Sequence, residues 1–165
     1  RASDLQHLEY DYRISPVHMQ ELGAVVRYAK QLSQAPVWLV GTSRGTVSGT
    51  AATLALPEGS VQGLVLTSSV TSKKPGAIAT QDIGKIKVPT LVVHHKNDAC
   101  KICVPYEAAR ITDGLKSAPI KKFQMLDGGS DPVGDPCEAL HWHGFINHEK
   151  ETVQLIARWI QSPQN

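Results

Sequence analysis

A short apolar run, Val37-Trp38-Leu39-Val40, leads without a linker into Gly41-Thr42-Ser43-Arg44-Gly45, and a segment of small residues follows at once. An apolar stretch of this length, rich in β-formers and closed by Gly41, suits a strand from Pro36 to Val40 that is buried on both faces of a parallel sheet. The next segment, Thr46 to Leu56, places Val47, Ala51 and Leu54 on one face and meets a stop at Pro57-Glu58-Gly59, which predicts a helix packed close to that sheet. A G-x-S-x-G sequence between such a strand and such a helix is a sharp turn that holds its serine in a strained conformation. Glycines two residues before and two after Ser43 are then expected wherever a side chain would not fit. The beginning of the helix brings N–H groups and a positive dipole end close to the Ser43 hydroxyl.

The rest of the chain repeats the alternation. Ser15-Pro16 is a helix start, a capping hydroxyl followed by proline at the first helical position, and Val17, Leu22, Val25, Val26, Ala29 and Leu32 follow at helical spacing. Val61 to Leu66 and Pro89 to Val93 read as further buried strands, with a Ser, Thr, Gly and Lys-rich connection from Thr67 to Lys87 between them that suits a binding rim. Pro105 to Leu115 reads as a helix, Ile120 to Leu126 as a fourth strand, and Asp127 to Leu140 as a loop. A closing helix puts Val153, Ile156, Ala157 and Ile160 on one side, with Glu149 and Glu151 near its positive end. Strands alternating with helices imply an α/β domain with a mostly parallel sheet covered on both faces.

Composition removes several function classes. The 17 basic and 15 acidic residues are scattered, with no run of Lys or Arg to follow a phosphate backbone, so neither nucleic acid nor a membrane is an expected partner. No apolar stretch approaches the roughly 20 residues that cross a bilayer. The opening Arg1-Ala2-Ser3-Asp4 has neither an initiator Met nor a charged-then-apolar leader, and reads as a boundary left by processing or expression.

With the strand, the Gly41 to Gly45 turn and the small-residue helix in this order, the sequence resembles the α/β-hydrolase superfamily from Ser15 onward. The resemblance implies a nucleophile, an acid and a base in that chain order, the last two on loops after later strands. Ser43 would be the nucleophile. Pro89-Thr90-Leu91-Val92-Val93-His94-His95-Lys96-Asn97-Asp98 is similar to the acid-bearing strand, which makes Asp98 the acid that orients the base. Three histidines compete for the base. His143, in His143-Gly144-Phe145, resembles the His-Gly-Phe segment of some bacterial members, with Gly144 keeping the loop slim beside a substrate; His141 and His148 are the alternatives. Arg44 would contribute its backbone N–H to the oxyanion hole.

Asp98 can touch His143 only if their loops converge, so a disulfide between Cys100 and Cys137 would tie them together and point to export into an oxidising compartment. Unpaired cysteines would instead fit the cytoplasm. A zinc site built from His94, His95, Asp98, Cys100, Cys103 and the later histidines is a weaker reading, because the single C-x-x-C has no second pair at structural-zinc distance; no metal and no cofactor is expected.

The implied fold normally has strands before the elbow strand, one of which supplies a second oxyanion donor. Here the domain, 1-165, would lack them. Val37 to Val40 would become an exposed edge, suited to pairing with an upstream segment or a second chain, while residues 1 to 14 could add only a short extended piece. Two functions follow: a serine hydrolase of the carboxylesterase type acting on a small acyl substrate, or a hydrolase-fold binding or scaffold protein whose catalytic machinery is impaired.

Overall fold

A computed structural model of the chain describes residues 9–165. Four strands, β1 (Trp38–Thr42), β2 (Gly63–Thr67), β3 (Thr90–His95) and β4 (Lys121–Leu126), form one sheet in the order β1-β2-β3-β4, every neighbouring pair parallel. The helices are α1 (Tyr10–Arg13), α2 (Pro16–Leu32), α3 (Arg44–Ala55), α4 (Pro105–Gly114) and α5 (Glu149–Gln161). The α/β class read from the alternation is the one observed.

Parallel strands need both faces covered, and alternating side chains divide the core accordingly. Leu64, Leu66 and Val92 face Val47 of α3 and Ala108 and Ile111 of α4; Val65, Leu91 and Val93 face Trp159 of α5. Every residue of β2 and β3 is buried. Each such aliphatic side chain contributes about 1.5–3 kcal/mol of transfer free energy, so the two central strands are the rigid part of the scaffold. Trp38 lies over Gly63, where any Cβ would sit 2.1 Å from the indole, and meets Trp159 edge-on at 5.7 Å.

Several local expectations change. The elbow strand does not end at Gly41 but runs to Thr42, and it is not buried on both faces: it is the outer strand of the sheet, with Val40 55% exposed. The helical spacing in α2 is right and Ser15 caps it by accepting from the His18 N–H, but the buried stripe is Met19, Gly23 and Val26, while Val17, Val25 and Leu32 face solvent. In α5 the inward side is Thr152, Leu155, Ile156, Trp159 and Ile160, leaving Val153 exposed. The Thr67 to Lys87 connection is only partly a rim, since Ser68, Ser69 and Val70 are fully buried and Ala77, Ile78 and Ile86 fill the core. Tyr10 and Tyr12, expected in an extended segment, lie in the short helix α1; Leu5, Leu8 and Arg1 to Asp4 fall outside the described residues.

Candidate active site

The strands end in register, and the chemistry gathers at their C-terminal ends. Thr42 is opposite Thr67, and Thr67 opposite Val93, so the residues leaving β1, β2 and β3 emerge side by side. Open α/β sheets present their ligand sites at this end. Ser43 follows β1 directly with φ 52° and ψ −123°, a backbone conformation that L residues rarely adopt and that costs on the order of 1–3 kcal/mol. Its N–H donates to the Thr67 carbonyl at 3.0 Å, locking the turn to β2.

The two flanking glycines are not equivalent. A Cβ on Gly41 would sit 2.5 Å from the Gly45 carbonyl oxygen, so the turn closes only with glycine there. A Cβ on Gly45 would meet nothing within 4 Å, contrary to the steric requirement expected of it. Arg44 opens α3, which puts its N–H at the positive end of the helix beside Ser43.

Asp98 and His143 lie 45 residues apart in sequence and meet: His143 Nδ1 donates to Asp98 Oδ2 at 2.8 Å, and both side chains are buried. The same carboxylate oxygen accepts from His94 Nε2 at 3.0 Å, and Oδ1 accepts from the Cys100 N–H at 2.9 Å. Burial alone would raise the Asp98 pKa; the two imidazole bonds and the amide outweigh it and hold the carboxyl at about 2, against an ordinary 3.8. Asp98 is therefore ionised at neutral pH and can only accept. That fixes the proton of His143 on Nδ1 and leaves Nε2 as the available nitrogen. Nε2 is buried and has no hydrogen-bond partner, Ser43 Oγ included.

Cys103 neighbours both Ser43 and His143. Its thiol is fully buried, interacts with the Ser43 side chain, and lies within 4.8 Å of a His143 ring nitrogen. Burial, with the Asp98 charge adding to it, pushes the thiol up to about 12. Cys100 is disulfide-bonded to Cys137, with Cα atoms 4.6 Å apart, so the turn after Asp98 is clipped to the loop before His143.

The remaining histidines are elsewhere. His148 is the N-cap residue of α5, and His141 packs against Trp142. Gly144 packs against the Ala139 backbone, where a Cβ would be 2.0 Å from the carbonyl oxygen, so the loop itself requires glycine there. Three contributors escaped the sequence reading: His94, Cys103 as a neighbour of Ser43, and Ser68, whose buried hydroxyl donates to the His143 carbonyl at 2.6 Å. For His94 a signal existed, since it stands four residues before Asp98 at the end of a buried strand.

No protein-family profile matches the chain, and no curated protein sequence matches it. Among solved structures it is similar to an Agrobacterium tumefaciens protein of unknown function described as a "putative α/β hydrolase", with a TM-score of 0.61 at 13% sequence identity over 88% of this chain. The chain spans 61% of the length of that structure. It has an α/β-hydrolase-like fold.

Proposed function

We propose that the protein is a serine hydrolase that cleaves a carboxylic ester or a related acyl compound. Ser43 is the nucleophile. His143 takes its proton through Nε2 and later delivers it to the leaving group, while Asp98 holds the imidazole in the Nδ1–H tautomer and stabilises the cation that forms. The N–H of Arg44 at the head of α3 is one donor to the oxyanion. Water then resolves the acyl-enzyme.

The observation that carries this reading is the Asp98–His143 pair, buried, with Nε2 unpartnered, in a chain whose elbow serine is held at positive φ. The missing Ser43–His143 bond is compatible with it, because nucleophile–base bonds are often long without substrate and tighten when one binds. The disulfide supports an oxidising compartment, and among the described residues no helix is long and apolar enough to cross a membrane.

A second reading, a binding or scaffold protein that pairs through its open edge, is favoured by the outer position of β1 and the exposure of Val40. A fluorophosphonate probe separates the two. Covalent labelling that disappears in Ser43→Ala supports the hydrolase; a folded chain that stays unlabelled supports the scaffold.

A further inference from the structure

Two of the cysteines and the proposed general base share one place, and the third cysteine is bonded to one of the two. Cys100 Sγ, Cys103 Sγ and a His143 nitrogen all lie within 4.8 Å of one another, and Cys137 Sγ is bonded to Cys100. Cys100 and Cys103 form a C-x-x-C turn, closed by the Cys103 N–H donating to the Cys100 carbonyl at 3.0 Å. His143 Nε2 is buried with no hydrogen-bond partner, while Nδ1–H is held by Asp98.

This donor set has a chemical meaning that the oxidised state hides. A disulfide sulfur is a poor ligand, but three thiolates and one imidazole are a common tetrahedral zinc set, with metal–sulfur distances of about 2.3 Å and metal–nitrogen distances of about 2.0–2.1 Å. Ligand atoms in such a site stand roughly 3.5–3.8 Å apart. The Cys100, Cys103 and His143 atoms would have to contract by about 1 Å, and Cys137, adjacent to Cys100 and released from its bond, would turn in as the fourth ligand. Zinc-bound histidines usually donate their second nitrogen to a carboxylate, as His143 does to Asp98.

We propose that reduction of the Cys100–Cys137 disulfide converts the site into a Zn²⁺ centre held by Cys100, Cys103, Cys137 and His143 Nε2. A thiol or phosphine reductant supplies two electrons, two protons complete the thiols, and metal binding then releases three protons as three thiolates form. Zinc on Nε2 occupies the lone pair that would accept the Ser43 proton, so the reduced, metal-bound chain is silent towards acyl substrates. That consequence rests on the proposed role of His143; the metal site does not.

Cobalt(II) reports the site directly. The full chain is reduced with a phosphine, desalted without oxygen, checked for its fold by circular dichroism, and titrated with Co²⁺. The expected result is one Co²⁺ per chain, with thiolate-to-cobalt charge transfer and the visible bands of tetrahedral cobalt, both lost on adding Zn²⁺ and absent from the oxidised chain. Asp98→Asn should weaken binding by roughly 10- to 100-fold, as losing a partner of a metal-bound histidine does, and Cys103→Ser and His143→Ala by more. A folded, reduced chain without the charge-transfer band overturns the proposal, as does unchanged Co²⁺ affinity in both Cys103→Ser and His143→Ala. Loss of the fold on reduction that Zn²⁺ does not restore overturns it too. Fluorophosphonate labelling gives a separate answer: Zn²⁺ should block labelling of the reduced chain and spare the oxidised one. If no state is labelled, the hydrolase reading fails while the cobalt spectrum still decides the metal site.

Discussion

Two serine–histidine–carboxylate groups occur among the described residues, and the better connected one is the poorer candidate for chemistry. Ser48 Oγ is 3.1 Å from His18 Nε2, and His18 Nδ1 is 3.1 Å from Glu21 Oε2, an unbroken chain of hydrogen bonds. Ser43, His143 and Asp98 lack the first of their two links. The surroundings reverse the ranking. Ser48 sits inside α3, and its oxygen also accepts from the Arg13 guanidinium at 3.1 Å, which lowers its basicity. Glu21 is 55% exposed on its side chain and also accepts from the Tyr12 hydroxyl at 2.8 Å, so its charge is largely spent on solvent and neighbours. This group reads as a clasp holding α1 and α2 to α3. Ser43 instead heads a helix on a strained turn, and Asp98 is fully enclosed, where an ion pair with an imidazolium is strongest. Connectivity alone does not make a catalytic group; helix position, strain and desolvation do.

The widest separation is expected from the two serines. If the hydrolase reading holds, Ser43→Ala should lower kcat/KM for an activated ester by on the order of ten-thousand-fold or more, while Ser48→Ala changes it by less than about twofold. Comparable losses in both would show that the clasp belongs to the machinery. The acids come next. Asp98→Asn replaces an acceptor by a group that can place a donor against His143 and should cost roughly 1,000- to 10,000-fold in kcat with the fold retained, against little change for Glu21→Gln. A mild Asp98→Asn phenotype would remove the carboxylate from the reaction.

What the sequence reveals follows the same division between local and assembled features. The elbow is local: strand, turn and helix are contiguous, so Ser43 stands out from spacing alone, and the continuous apolar runs of β2 and β3 announce burial on both faces. Asp98 and His143 come from different loops, and pattern at the strand ends points to each separately. His94 sharing the same carboxylate oxygen does not show in any spacing, because it depends on residues 96–103 folding back so that the Cys103 carbonyl and the Asp98 carboxylate converge on one imidazole. Periodicity likewise finds the apolar residues of α2 and α5 but not their rotation. Val153 belongs to the same apolar periodicity, and only the sheet face opposite, with Val65, Leu91, Val93 and Trp38, decides that Trp159 is covered and Val153 is not.

The two glycines of the turn sharpen the contrast between a strained serine and an ordinary helical one. Gly41→Ala drives a Cβ against the Gly45 carbonyl and should cost about 3 kcal/mol or more in chemical denaturation, or displace Ser43 and abolish probe labelling. Gly45→Ala, with open space around it and a helical backbone, should be neutral or more stable by about 0.5–1 kcal/mol. Equal destabilisation by both would mean that the space around Gly45 is not open in solution.

The smallest effect is read at the enclosed carboxylate, through acid. The Asp98 pKa is depressed in the folded chain, to about 2 from 3.8, so the bound proton is disfavoured by folding. The stabilisation this represents, about 2 kcal/mol, is fully present above about pH 4 and is lost as the pH falls through about 2. Unfolding free energies measured between about pH 5 and about pH 2 should therefore fall less steeply in His94→Leu, which removes one of the two imidazole donors. A wild-type acid slope in His94→Leu would mean that His143 and the Cys100 amide hold the charge by themselves, and that His94 only fills space behind the site.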